Sequence, residues 1–475
     1  MMSVATGVVM GCRNDATAPP AAPVNVSHVA IARNPNNVLS AIATFDASGA
    51  DSVRVVCTAA DGGRSATPFA RASASDSLVV LGLRPATAYQ LVVEAVGADT
   101  VVSSDTLAFA TDTLPAFLQS TAFQSTAPAS GGYILTAVGD STVAFAVAFD
   151  STGAVSWYRE FTEGVPVGET KQQANGHITA FLGATHGGEP VPGRYVELSP
   201  AGDVVRTFEA QPPAYTDDHE LRLLFRDTMY DGAVFLTYTQ RHLDLSAQGG
   251  PSDTLVSGHQ LVRVNADGSQ HVLFDAWDHF TIADEVEPIP NEPDFDHPNS
   301  IAIAPDGNYV VSWRNFDAIT KIDATTGAII WTLAAPWSAL HSDFTIVGDP
   351  LDGFSAQHSV RVIGTGDLLV FDNGTHQSPA ASRAVEYRLD ESAKTATMTW
   401  QYAHAPSYYT QFTGSVQRLT NGNTVIGWTW PTAPLSATEV TSDGGVVWEG
   451  TLHSPGAALP YRFIRITSLY RYVHP

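Results

Sequence analysis

The stretch that decides the fold is Asp296-His297-Pro298-Asn299-Ser300-Ile301-Ala302-Ile303-Ala304-Pro305-Asp306-Gly307-Asn308-Tyr309-Val310-Val311-Ser312-Trp313-Arg314. It reads as two short strands, Ile301 to Ala304 and Tyr309 to Trp313, joined by the turn Pro305-Asp306-Gly307. β-branched and aromatic residues fit a pleated surface, and Asp-Gly between them signals a hairpin. Turns of this kind recur between strands at Gly131-Gly132, Asn175-Gly176, Asp231-Gly232, Thr365-Gly366 and Asn421-Gly422. After each, a second hairpin ends in an aromatic residue: Trp157, Phe208, Phe274, Trp331, Trp400 and Trp448. The intervals between those aromatics are 51, 66, 57, 69 and 48 residues. Repeats of that length with four strands each predict propeller blades, six of them over residues 114–475. The aromatics are expected to pack between blades. Helical periodicity is almost absent, so the whole chain reads as all-β.

Propeller geometry then makes a prediction about side chains. The innermost strand of a blade starts at one mouth of the central channel, and its partner returns to that mouth. His297 and Asn299 open such a strand, and Arg314 closes the return. His219 holds the equivalent position one blade earlier and His358 one blade later. Three consecutive blades thus aim a histidine at one end of the channel, and Arg314 adds a planar cationic fork suited to an anion. A lone histidine is ordinarily structural. His186, His259, His279, His341, His376 and His404 have no such register and read as solvated or structural.

The same residues carry a resemblance. Asp296 to Ile301, Asp306-Gly307-Asn308, Ser312-Trp313-Arg314, Lys321-Ile322-Asp323 to Gly327 and Trp331 resemble the bacterial arylsulfate sulfotransferase family. So do Gln357-His358, Phe371-Asp372-Asn373-Gly374, Ser382-Arg383 and the closing Tyr461-Arg462 to Ser468-Leu469-Tyr470. The resemblance implies a six-bladed propeller, in agreement with the blade count. It implies an enzyme that needs neither 3′-phosphoadenylylsulfate nor another cofactor or metal, and that moves a sulfuryl group from an aryl sulfate to a phenol through a sulfated histidine. It implies His358 as nucleophile, and His219, His297 and Arg314 as the shell around the anion, with Asn299 beside them. The proton role falls to His297 or His219. Tyr408, Tyr409 and Ser415 precede or open the inner strand of the sixth blade, and Tyr408 and Ser415 are candidates for substrate contact. The cysteine pair carried in the propeller of characterised members is absent.

Ahead of the propeller, residues 24–113 read as a small β-sandwich. Leu81-Gly82-Leu83-Arg84-Pro85-Ala86-Thr87-Ala88-Tyr89 resembles the tyrosine-corner region of fibronectin type III domains. Residues 1–23 resemble a lipoprotein signal and tether. Val4 to Gly11 is short and apolar, Val9-Met10-Gly11-Cys12 resembles the processing box, and ATAPPAAP at Ala16 to Pro23 is a tether. The basic residues that normally precede such a run are missing. The expectation is an exported protein, periplasmic or at the outer membrane or cell surface, anchored through acyl chains on Cys12. Cys57 is then a single buried thiol.

Composition narrows the rest. The chain has 475 residues, 44% of them hydrophobic and only 15% charged. Its 48 acids against 24 bases leave a net charge of −24, which argues against a nucleic-acid partner. No apolar run is long enough to span a membrane. An edge strand of the sandwich leaves self-association open. The acidic run Asp284 to Asp296 lacks a calcium loop and reads as a solvated connection. No Gly-x-Ser-x-Gly elbow supports a serine hydrolase. The sequons at Asn25 and Asn373 carry little meaning in a bacterial chain. A second reading is a non-catalytic surface lipoprotein whose propeller binds an anionic or phenolic ligand or a protein. A third, hydrolysis by metal-bound water, needs a ring of carboxylates where this chain offers histidines.

Overall fold

Runs of Val, Ile, Thr and aromatic residues between Asp, Asn and Gly turns form strands along almost the whole chain. The computed structural model describes residues 23–470 apart from 98–99, 128–130, 185–190, 287, 289–293, 430–434 and 457–459. Cys12 and His186 lie outside the described residues. Among them is one α-helix, the four-residue Ala116–Gln119, and no helix is long and apolar enough to cross a membrane. The protein is all-β, as its pattern predicts.

The chain divides into two compact units, described parts of residues 1–32, 42–80 and 88–109 in one and of 33–41, 81–87 and 110–475 in the other. The smaller unit has two sheets. One orders Asn25–Arg33, Ala41–Ser48 and Ser75–Val80; the other centres on Ser52–Ala59 and Ala88–Gly97. Inward residues such as Val53, Val55, Leu91 and Val93 are fully buried and alternate with exposed ones. Cys57 is buried there, and burial pushes its thiol up to about 12.

The larger unit is a six-bladed propeller. Its sheets are a first blade, Tyr133–Gly139 to Val155–Phe161, then four-stranded blades at Val167–Gln172 to Val204–Phe208, Tyr215–Arg226 to Gln270–Asp275 and Pro298–Ile303 to Ile329–Ala334. The fifth runs from His358–Ile363 to Thr395–Tyr402 and the sixth from Ser415–Arg418 to Val446–His453. From the second blade on, the first strand in sequence is innermost, and these strands neighbour one another in turn. The ring closes through the C-terminus: Ile464–Ile466 is the inner strand of the first blade, paired with Tyr133–Gly139. Ala122–Ser125 pairs instead on the outer edge of the last blade.

Two turns differ from the sequence reading. Gly131-Gly132 closes no hairpin, because the strand before it belongs to the last blade; a Cβ on Gly132 would lie 2.2 Å from the Ile466 carbonyl oxygen. In the third blade the turn comes at Asp227-Thr228, and Gly232 lies inside Met229–Leu243, where a Cβ would meet the Val264 carbonyl oxygen at 2.0 Å. That glycine serves close strand approach rather than a turn.

The repeated aromatics do join blades. Trp157 Nε1 donates to the Pro200 carbonyl (2.9 Å) in the second blade, and Trp331 Nε1 to Glu391 Oε1 (3.1 Å) in the fifth. Arg418 of the sixth blade stacks over Trp400, 5.0 Å from its ring centre.

Candidate active site

Four of the inner strands, those of the second to fifth blades, are irregular near the channel mouth. Pairing registers shift between Val167 and Thr170, Thr216 and Leu221, Pro298 and Ser300, and His358 and Arg361. A bulge re-aims side chains that plain alternation would send elsewhere. Five of the ten non-glycine residues with positive φ among the described residues lie here: His297 (43°), Asp317 (49°), Ala356 (48°), Ser359 (53°) and Thr413 (62°). Such conformations cost energy and persist where surrounding bonds hold them.

The bonds that hold His358 are visible. Arg383 spans Asp349 (2.9 Å twice) and Asp372 (2.9 Å). Asp372 Oδ1 accepts the Ser355 amide at 3.0 Å, and Asp317 Oδ1 accepts the Ala356 amide at 2.5 Å. Gln357 Nε2 donates to three oxygens of the fourth blade, those of Ser312, Trp313 and Ala318. His358 therefore enters the channel from a segment tied on both sides.

The protonation of His358 follows from its partners. Asn373 Nδ2 donates to the carbonyls of Thr410 (2.7 Å) and Thr413 (3.0 Å), which orients its amide so that Oδ1 faces His358 Nδ1 at 2.9 Å. The Ala356 carbonyl faces the same nitrogen at 3.0 Å. Two acceptors require a proton on Nδ1, which leaves a lone pair on Nε2. The Thr413 amide points at that Nε2 from 3.2 Å. Burial, then the charge of Arg314 and the neighbouring His297, hold the ring well below the usual histidine range, against the Asn373 bond. His358 is a neutral, buried imidazole with Nε2 toward the channel.

The other two histidines meet it as the blade register predicts. The His219 and His297 rings are 4.7 Å apart, and His297 and His358 6.4 Å apart. Each presents Nδ1 to carboxylates: His219 to Asp217 (2.9 Å) and Asp218 (3.3 Å), His297 to Asp294 (2.6 Å). Arg314 is buried, its Nη1 bonds Asn315 Oδ1 at 2.7 Å, and its guanidinium lies over Phe412 at 5.2 Å. Three imidazoles and a guanidinium thus converge at one mouth. With a neutral nucleophile among fixed donors, the arrangement can accept a group transferred between two oxygens and stabilise charge on its outer oxygens.

The arylsulfotransferase (ASST) family model matches residues 119–441. The chain belongs to that family. Its general chemistry is sulfuryl transfer, with an aryl sulfate as donor and a phenol as acceptor. No curated protein matches the chain. Among solved structures it is similar to a protein of unknown function from Bacteroides caccae (14% identical, 70% of this chain and 98% of that one, TM-score 0.44). It is also similar to a streptogramin B lyase (13%, 73% and 90%, 0.36) and to a virginiamycin B lyase from Staphylococcus aureus (10%, 69% and 88%, 0.34).

The structure brings more to the site than the sequence singled out. Tyr461 packs its ring edge-on to His219 at 5.5 Å, and its hydroxyl donates to the Asn299 carbonyl (3.3 Å). Beside it begins an ionic layer. Arg462 binds Glu169 (3.0 Å) and Glu220 (2.8 Å), and Lys171, Arg222 and Arg361 close on the same two carboxylates. Arg222 and Arg361 each follow a site histidine by three residues, about 10 Å further down the inner strand. Four cations thus face two carboxylates in this layer, which leaves it with an excess of positive charge. Burial lowers Lys171 to about 8 and Arg361 to about 9.

Other expected contacts are not assembled. Asn299 Nδ2 donates to the Gln357 carbonyl (2.8 Å), so it braces the His358 segment; its buried Oδ1 has no partner among the described residues. Ser415 Oγ bonds both the carbonyl and the amide of Phe463 (3.2 Å each), which ties the sixth blade to the closing segment. Tyr408 stacks on His404 (4.2 Å) and edges Trp428 (5.7 Å) inside the sixth blade, so it contributes packing there. The run ending at Asp296 is not a solvated connection throughout: Asp294 and Asp296 are buried against histidines. Asp217, Asp218 and His219, and His259, Asp294 and Asp296, form two close carboxylate–imidazole groups whose polar side-chain atoms lie within 4.8 Å of one another. In both groups carboxylates already face imidazole nitrogens. The acidic residues immediately before His219 and His297 were the available signal for this layer.

Proposed function

We propose that this protein is a 3′-phosphoadenylylsulfate-independent aryl sulfotransferase working by a ping-pong mechanism through sulfated His358. The observation that carries the reading is the tautomer of His358: Nδ1–H held by Asn373 and Ala356, with the Nε2 lone pair accepting the Thr413 amide and the charges of Arg314, His297 and His219 acting on the ring. Nε2 attacks the sulfur, the bond from sulfur to the aryl oxygen breaks, and the phenolate leaves with a proton from His297 or His219. The acceptor phenol then gives its proton back to that histidine, its oxygen attacks the sulfur, and the bond from sulfur to Nε2 breaks. Arg314 and the imidazoles stabilise charge on the outer oxygens; removing one such donor costs on the order of a hundredfold or more. The reading also keeps the protein at a membrane surface through lipid on Cys12, with the N-terminal unit as a fibronectin-like spacer, which labelling with radioactive palmitate tests.

The test is nitrophenol release from 4-nitrophenyl sulfate, with and without added phenol, on the wild type and on His358→Ala. Phenol-dependent turnover in the wild type, lost by at least about a thousandfold in the variant, is expected. Release that persists in His358→Ala overturns the sulfohistidine. No release by a folded wild type favours the ligand-binding alternative.

A further inference from the structure

His259 lies on Thr254–Asn265, the third strand of the third blade, in the same blade as His219 and beside the blade that His297 opens. It joins them through carboxylates. His219 Nδ1 meets Asp217 Oδ1 at 2.9 Å, and Asp217 Oδ2 faces His259 Nε2 at 3.4 Å. On the other side His259 Nδ1 meets Asp296 Oδ1 at 2.6 Å and Asp294 Oδ1 at 3.6 Å, while the His259 amide donates to Asp296 Oδ2 at 2.9 Å. Asp294 Oδ2 meets His297 Nδ1 at 2.6 Å, and the His297 amide donates to both Asp294 (3.0 Å) and Asp296 (2.9 Å). The chain His219, Asp217, His259, Asp296 with Asp294, His297 closes on itself where the two outer rings meet at 4.7 Å. It links the third blade to the fourth at the point where each offers its histidine.

The groups around His259 are Asp217 from Tyr215–Arg226, Asp294 and Asp296 from the segment before Pro298–Ile303, and the Tyr238 ring from Met229–Leu243 at 5.7 Å. Burial opposes a charge on His259, but Asp296, Asp294 and the bonds to Asp217 and Asp296 outweigh it and hold the ring protonated well above the usual range. Despite burial, His219 first and His259 second keep Asp217 well below the carboxylate range.

Resting on the sulfotransfer reading above, we propose that His259 is the positioning residue of the proton step: by bridging Asp217, which meets His219 Nδ1, and the Asp294–Asp296 pair, of which Asp294 meets His297 Nδ1, it holds both rings oriented for proton exchange with the aryl oxygen. Without the bridge, Asp217 is left with His219 and Asp296 with the His297 amide, and burial pushes both carboxyls toward taking up a proton. His219 then loses the carboxylate that fixes its tautomer, and the segment carrying Asp294 and His297 loses its tie to the third blade.

The test separates this role from simple support. A phenol that is a good leaving group departs without a proton, and a poor one needs it. His259→Asn keeps an amide donor toward Asp296 but cannot reach Asp217; His259→Gln is the second variant should the first fail to fold. Burst-phase kcat is measured for 4-nitrophenyl sulfate and for phenyl sulfate on the wild type and the folded variant. The expected result is a loss for phenyl sulfate at least about tenfold greater than for 4-nitrophenyl sulfate, with KM for both donors little changed. Equal loss on both donors, or loss on neither, overturns the role of His259 and leaves sulfotransfer standing. A wild type inactive on both donors, or activity surviving in His358→Ala, takes the sulfotransfer reading down and this proposal with it.

Discussion

The pocket of His358 and the joint holding His259 are equally buried, each histidine being 2% exposed, yet one ring stays neutral and the other carries a positive charge. Around His358 the partners are a carbonyl and an amide oxygen, with Arg314 nearby, and the ring stays neutral. Around His259 the partners are three aspartates, and the ring is an imidazolium. Desolvation disfavours charge in both places by the same mechanism. The difference is the formal charge of the acceptors. An amide oxygen binds the Nδ1 proton without stabilising a second one; a carboxylate does both.

That contrast can be broken most forcefully at Asn373. Asn373→Asp puts a carboxylate where His358 has an amide and makes its surroundings like those of His259. The expected result is a new acid limb in the pH dependence of kcat/KM, with the rate falling about tenfold for each pH unit below it as the nucleophile becomes protonated. Circular dichroism must show an intact fold, because the substitution also removes donors to Thr410 and Thr413. An unchanged profile in a folded variant means that partner charge does not set the protonation of this histidine.

A smaller effect appears in stability. The folded pKa of His358 is depressed, so its neutral form is fully tolerated above the unfolded value near ~6.5 and stability is lost as pH falls below that. The folded pKa of His259 is raised, so its contribution is fully present below ~6.5 and is lost as pH rises through the folded value. Thermal melts from pH 5 to 9 should therefore show a gentler acid-side decline in His358→Gln and a gentler alkaline-side decline in His259→Gln, each against the wild type. Parallel curves for all three proteins remove both assignments. The smallest effect is expected at Tyr408→Phe. Its ring packs on His404 and Trp428, so kcat/KM should change by less than about fivefold, or ~1 kcal/mol of transition-state energy. A larger fall returns Tyr408 to the site.

The legible part of the site was the part carried by blade register. His219, His297 and His358 each stand at or near the start of an inner strand, and that repetition placed them together before any coordinates. Tyr408 and Ser415 failed for a related reason: they stand near an inner strand without a repeated register, and the direction of a side chain ahead of a strand depends on the local turn. His259 was passed over because it lies on a third strand, away from the channel, where sequence distance from Asp217 and Asp296 hides a 2.6 Å contact. The bulges that aim the histidines are also invisible in a pattern of period two.

Hairpin turns, strand alternation and the aromatic interval are local, and local steric and hydrophobic preferences are enough to specify them. The sequence by itself therefore determined the all-β class, the repeated blades, the family and the three histidines at one mouth. The protonation of those histidines, the bracing role of Asn299, the closure of the ring by Ile464–Ile466 and the positive layer around Glu169 and Glu220 were decided only by the tertiary structure. Each depends on groups tens to hundreds of residues apart meeting in a space from which water is excluded, where a charge is set by whatever side chain faces it.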